Sequence, residues 1–305
     1  MLLVDVTLVR LRSAGCDISR KDAANWRVLL HGLGIDRVED TAGSAGRANL
    51  CPVADAGARG AMFLERAADV APEKLADRRV APLRLFGLDD ALLLKDWRDF
   101  LARLRNLGKS LPLELAFGNS LGCATALGAT WLLKGGETLV CSFAGVGNLA
   151  PFEEVAMALH ISGARSFTGL SCLPSVRALF GRMAHGLARA LVPPTKAVAG
   201  HAVFAVESGI HVDGLRKDPA LYEPFAPELV GAKRRVVPGS HSGTSAIRLC
   251  CEILGLPCDA KQASDLLLAV RNLSRKLERG LDEEEFRFLH ERICREDWYA
   301  AVACD

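Results

Sequence analysis

Short apolar runs alternate with helix-period segments through the first two thirds of this chain, and that alternation most limits its fold. The runs are "LLVDVTL" at Leu2–Leu8, "IDRVED" at Ile35–Asp40, "APLRLFGL" at Ala81–Leu88, "LPLELAFG" at Leu111–Gly118 and "ETLVCSFAGVG" at Glu137–Gly147. Each reads as a strand. Between them the apolar spacing turns helical. Ser19 is a candidate N-cap, with Asp22 completing a capping box before Trp26, Leu29 and Leu30, and Gly32–Gly34 end that helix. Trp97, Phe100, Leu101 and Leu104 recur at i, i+3, i+4 and i+7. Further helices are expected through "CATALGATWLLKGG" and from Phe152 to His160. Strands joined through helices predict an α/β fold, a parallel sheet or barrel. The Gly/Ala-rich stretch "TAGSAGRANLCPVADAGARG" has no period and reads as loop.

Pro193-Pro194 marks a change of pattern, so two domains are expected, 1–192 and 193–305. The second opens on the strand-like "HAVFAVES" and continues into three helices. Leu266, Val270, Leu273 and Leu277 form the apolar stripe of the middle one, which stops at Gly280. Asp282 caps the last, with Glu285 as its box partner and Leu281 against Phe286 as a staple.

Composition narrows the function. The 305 residues carry a net charge of +2 with both signs mixed, which leaves no electrostatic footprint for nucleic acid. The densest basic run, Lys233-Arg234-Arg235, leads straight into valines and reads as a solvated loop edge. No apolar run reaches the ~18 residues of a membrane span, and no secretory leader pattern opens the chain. The ten cysteines lie mostly in apolar settings such as "LVCSF", as buried thiols of a reducing cytoplasm would. None has zinc-site spacing with another cysteine or a histidine.

The segment "AVFAVESGIHVDGLRKDPALYEPFAPELVGAKRRVVPGSHSG", residues 202–243, resembles homocitrate synthase of the nitrogen-fixation type, and more broadly the 2-isopropylmalate and citramalate synthases. The likeness rests on F-x-x-E-S-G-I-H, the Asp218-Pro219 and Tyr222-Glu223 steps, Pro227-Glu228, and Gly239 before His241-Ser242-Gly243. "LGIDRVED", "PFEEVAMAL" and "VPPTKAVAG" fit as well. The resemblance implies a TIM-barrel-like (β/α) domain followed by a small, mainly helical one. It implies condensation of acetyl-CoA with a 2-oxo acid on a divalent metal that polarises the ketone. It also implies a dimer, in which the small domain's histidine and tyrosine serve a neighbouring barrel.

The family's metal ligands are an acid in D-x-T-L-R-D-G, two histidines in H-x-H-N-D, and an asparagine in G-x-G-E-R-x-G-N. Those positions fall here on Arg10, Ala116, Gly118 and Phe152, and the substrate-orienting arginine falls on Val9. No Asp or Glu occurs from Val6 through Cys16, so a one-residue shift does not restore the acid. No metal cofactor is therefore expected. The barrel also looks shortened, since an eight-stranded one takes about 250 residues.

Candidate residues follow. His211 reads by itself as a polar residue in a tight turn between Gly209 and Gly214. Under the resemblance, His211 and Tyr222 are catalytic, acting in a neighbouring subunit. Glu39, Arg10 and Asn119 are candidates for substrate contact. Glu207, Ser208 and His241 are structural at the site, and Ser242 is a candidate helix cap. His31, His160, His185 and His290 read as surface or boundary residues. Two functions are expected: a partner subunit or ligand-binding paralogue that cannot catalyse in its own barrel, or an active acyltransferase making homocitrate or a related 2-hydroxy acid from acetyl-CoA and 2-oxoglutarate. The partner is a second copy or a complete synthase, with acetyl-CoA or a 2-oxo acid as ligand.

Overall fold

The computed structural model of the chain describes residues 1–40, 61–64 and 82–294. The Gly/Ala-rich stretch expected to be loop lies outside them. The chain forms two compact units, Met1–Val203 and Phe204–Asp305. The expected boundary at Pro193-Pro194 falls inside the first. Ala202 N–H donates to the Pro194 carbonyl at 2.8 Å, and Lys196 pairs with Glu154 at 2.7 Å, so this connector is fastened to the first unit.

The first unit holds a six-stranded parallel sheet: β1 (Leu2–Asp5), β2 (Arg37–Val38), β3 (Ala61–Leu64), β4 (Leu83–Gly87), β5 (Leu113–Phe117) and β6 (Thr138–Cys141). Its order is β2-β1-β6-β5-β4-β3. Apart from the β1–β6 pairing, each neighbour is the next strand in sequence. A singly wound sheet has this cyclic order.

β1 is shorter than its apolar run. The chain turns at Val6 into α1 (Thr7–Ser13), which places Arg10 on a helix. α2 (Arg20–Leu33) starts at the expected Ser19 cap, whose hydroxyl accepts from Asp22 N–H at 3.0 Å. The Asp22 carboxylate accepts from the same hydroxyl at 2.8 Å, so the second arm of the box closes on the side chain. α3 (Trp97–Gly108) buries Phe100, Leu101, Leu104 and Leu107, as its period requires. α4 (Ala124–Leu133), α5 (Phe152–Ile161), α6 (Leu173–Ala184) and α7 (Gly186–Leu191) follow.

Both sheet faces are covered, so β4, β5 and β6 are buried at every residue. Val4, Val6, Val9, Phe86, Ala116, Val140 and Leu149 cluster on one face. On the other, Phe143 packs against Trp26, Phe152 and Phe180 with ring centroids 5.0–5.9 Å away.

The sheet is strongly curled. Arg37 on β2 pairs with Glu114 on β5 at 2.5 Å, and Arg84 on β4 pairs with Glu39, just after β2, at 2.8 Å. In a flat sheet those strands would stand about 14 and 19 Å apart, at ~4.8 Å per strand. Curling brings the side chains across the concave face.

In the second unit, β7 (Ala205–Val206) and β8 (Arg235–Val236) form a parallel pair. The helices are α8 (Gly209–Lys217), α9 (Thr244–Leu254), α10 (Ala260–Leu277) and α11 (Glu283–Cys294). Leu266 and Val270 of α10 join Ile247, Cys251, Leu281 and Phe286 in its core, while Leu277 is exposed. The last capping box forms as expected. Glu285 N–H donates to Asp282 Oδ1 at 2.9 Å, and Asp282 N–H to Glu285 Oε2 at 3.0 Å. Asp282→Ala is expected to cost about 1 kcal/mol, read as a lower urea midpoint for the second unit.

Candidate functional site

The expected site residues do not gather into one centre. Arg10 is nearly buried, with its guanidinium carbon 5.2 Å from the Phe86 ring centroid. Its side chain runs so close to Gly147 that a Cβ there would lie 2.6 Å from Arg10 Cδ. Ala116 sits in the concave apolar cluster beside Phe86 and Val140. Gly118 is overlaid by Asp89: a Cβ at Gly118 would lie 1.5 Å from Asp89 Oδ1. Asp89 also accepts from the Ser120 hydroxyl, which in turn accepts from Asn148 Nδ2 at 2.9 Å. Phe152 belongs to the aromatic cluster on the opposite face, 5.6 Å from Phe143.

These residues do not fit a divalent metal. One is a cation, one a methyl, one a glycine whose side-chain space is filled, and one a phenyl ring on the other face. Among the described residues no group of three or more His, Cys, Asp and Glu is placed to hold a metal ion.

Glu39 and Asn119 are engaged in the scaffold. Arg84 holds Glu39 through Nη1 at 2.9 Å and Nη2 at 2.8 Å, and Arg37 Nε lies 3.2 Å from it. Arg84 Nε also donates to Glu114 at 2.7 Å. Burial lowers the Arg84 pKa, but its bonds and charge pairing with Glu39 and Glu114 outweigh this and leave it above the ordinary value. Asn119 Oδ1 accepts from Ala124 N–H at 3.0 Å at the start of α4.

Two further buried carboxylates, Asp5 and Glu153, lie within segments quoted for the resemblance but were not singled out as candidates. Asp5 accepts from Thr7 Oγ1 at 2.5 Å and from Trp26 Nε1 at 2.9 Å, and Thr7 Oγ1 accepts from Phe143 N–H at 2.7 Å. Glu153 accepts from Ala144 N–H through both oxygens at 3.1–3.2 Å, with Lys196 Nζ 3.9 Å away. Burial pushes Asp5 up to about 6 and Glu153 up to about 8, against the opposing pull of Lys196 on Glu153. Between the ordinary value of 4.5 and about 8 the folded state therefore holds a Glu153 proton that the unfolded chain has lost. Stability should fall as pH rises through that window. Urea midpoints between pH 5 and 8.5 should decline for the wild type, and more gently for Glu153→Gln.

The second unit keeps its candidate pair together. Tyr222 meets His211 edge-on, with ring centroids 5.5 Å apart and planes at 62°. His211 is not in a turn but in α8, despite two glycines there. Buried Val212 anchors the helix, and an exposed Asp213–Lys217 pair at 2.7 Å bridges one turn. Ser208 precedes α8 without a side-chain capping bond. Glu207 instead clasps the following loop, accepting from His241 N–H at 2.6 Å. Thus His241 is held by its backbone. Ser242 does not cap α9: its hydroxyl accepts from Gly239 N–H at 2.9 Å and donates to the Glu207 carbonyl at 3.1 Å. His290, expected at the surface or boundary, is buried against the Pro257 carbonyl at 2.6 Å.

No described helix is long and apolar enough to cross a membrane. A family model described as "Homocitrate synthase post-HMGL domain-like" matches residues 198–278. Homocitrate synthase 1 of Nostoc sp. is 35% identical over 180 residues, which cover 58% of this chain and 47% of that protein. The 2-isopropylmalate synthase 2 of Caldanaerobacter subterraneus is 35% identical over 196 residues, 60% of this chain and 48% of that one. The homocitrate synthase of Frankia alni is 40% identical over 152 residues, 47% and 41%. The chain spans about half the length of these curated relatives.

Proposed function

We propose, for a chain that belongs to the homocitrate-synthase-like family, that it acts as a partner subunit, offering His211 and Tyr222 to the barrel of a complete synthase. The carrying observation is an asymmetry. The small unit keeps His211 and Tyr222 in contact, whereas the first unit has Arg10, Ala116 and the Asp89-covered Gly118 where a metal would need donors. The curled, cyclically ordered sheet is read as a shortened barrel of the family type.

The chemistry assigned to the pair is proton transfer. Condensing an acetyl thioester with a 2-oxo acid requires a proton to leave the acetyl methyl group. An imidazole near neutral pH suits that step. An adjacent phenol edge orients the ring and offers a hydrogen-bonding hydroxyl. The complete subunit would contribute the divalent metal and the 2-oxo acid site.

Co-expression with a complete homocitrate synthase, followed by native mass analysis, tests the reading. A mixed assembly is expected. Its absence, together with metal bound at one per chain and thiol release from acetyl-CoA plus 2-oxoglutarate by this chain alone, would instead establish an independent acyltransferase.

A further inference from the structure

Gly214 stands three residues after His211 on α8, so the two share a face of the helix. The Tyr222 ring lies directly over it. A Cβ at Gly214 would come within 2.2 Å of Tyr222 Cε2, 2.4 Å of Cζ and 2.5 Å of the hydroxyl oxygen. The glycine is not there for backbone freedom, since its φ is not in the positive region. Glycine also weakens a helix interior. What its bare Cα supplies is room.

The approach of Tyr222 is fixed from its own side as well. Asp218 N–H donates to the Gly214 carbonyl at 2.9 Å. The Asp218 carboxylate accepts from Ala220 N–H at 3.0 Å, starting the short turn Pro219–Leu221. Tyr222 N–H then donates to the Pro219 carbonyl at 3.0 Å. This turn delivers the ring onto Gly214 and edge-on to His211.

We propose that Gly214 is a positioning residue: by leaving space for Tyr222 against His211, it sets the orientation of the imidazole for proton transfer. This rests on the partner-subunit reading for its use, but not for its geometry. The atoms that an alanine would displace are the far end of a side chain that is 44% exposed. The ring can swing into solvent without moving the backbone. Gly214→Ala should therefore leave the fold intact and separate the pair.

Proton NMR on the full chain reads this directly. The His211 ring signals are assigned by their loss in His211→Gln. In the wild type they should show a ring-current displacement that disappears in Tyr222→Leu. Gly214→Ala should abolish it equally, with a urea midpoint for the second unit that does not fall. Retention of the displacement in Gly214→Ala, or no difference between wild type and Tyr222→Leu, overturns the proposal. In a mixed assembly with a complete synthase, Gly214→Ala should lower kcat as far as Tyr222→Leu does, with KM unchanged, and a wild-type kcat overturns it. If no assembly forms, the partner reading fails, and the ring-current comparison still decides on Gly214.

Discussion

Arg84→Met should destabilise the first unit by about 3–5 kcal/mol, the usual cost of removing one partner from a buried ion pair. Arg84 is 7% exposed and Glu114 4% exposed, and Arg84 reaches both Glu114 and Glu39. Without the guanidinium, Glu114 keeps, among the described residues, only Arg37, whose own side chain is 39% exposed. A methionine of similar length fills the volume but returns none of the hydrogen bonds. Urea unfolding followed through the buried Trp26 and Trp131 should show the early transition. The companion variant Arg84→Met/Glu39→Gln/Glu114→Gln should recover part of the loss, because no carboxylate charge is then left facing the lost guanidinium. Equal losses in the two variants would show that packing, rather than charge, holds the concave face together.

His211→Ala should reduce turnover in a mixed assembly by about 10²-fold or more, within the range for a general acid–base group. The decisive arrangement uses a complete synthase whose own matching histidine has been replaced by alanine. Added wild-type chain should restore activity, and chain carrying His211→Ala should not. Restoration by both, or by neither, would remove His211 from the chemistry. Because phenylalanine keeps the ring edge against the imidazole and loses only the hydroxyl, Tyr222→Phe should cost less than His211→Ala.

Much of the scaffold was legible in the residues. Strand runs and helix period located β1, β4, β5, β6, α2, α3 and α4, though not α1, because burial on both faces of a parallel sheet leaves near-continuous apolar runs. Ser19 and Asp282 marked helix starts correctly, since capping is local chemistry. Two kinds of feature were not legible. Long-range pairing was one: Arg84 and Glu114 are lone charges in the apolar runs "LRLFG" and "LELAF", and only the parallel register sets them side by side. The signal was present as opposite charges at the second position of two strands. Local propensity overridden by packing was the other. Two glycines made "GIHVDG" look like a turn, and burial of Val212 made it a helix.

The position of Asp89 over Gly118 also bears on whether this chain could be given a metal site. Installing a histidine at 118 would drive its Cβ into the Asp89 carboxylate, 1.5 Å away. Removing Asp89 first would strip Ser120 of its acceptor and leave the space over Gly118 open. Neither change gains anything alone, because a single histidine beside Arg10 and Ala116 still lacks co-ligands. Building a metal site there therefore needs several simultaneous replacements. Asp89 acts as a latch: a small acidic side chain that keeps position 118 closed to any residue larger than glycine.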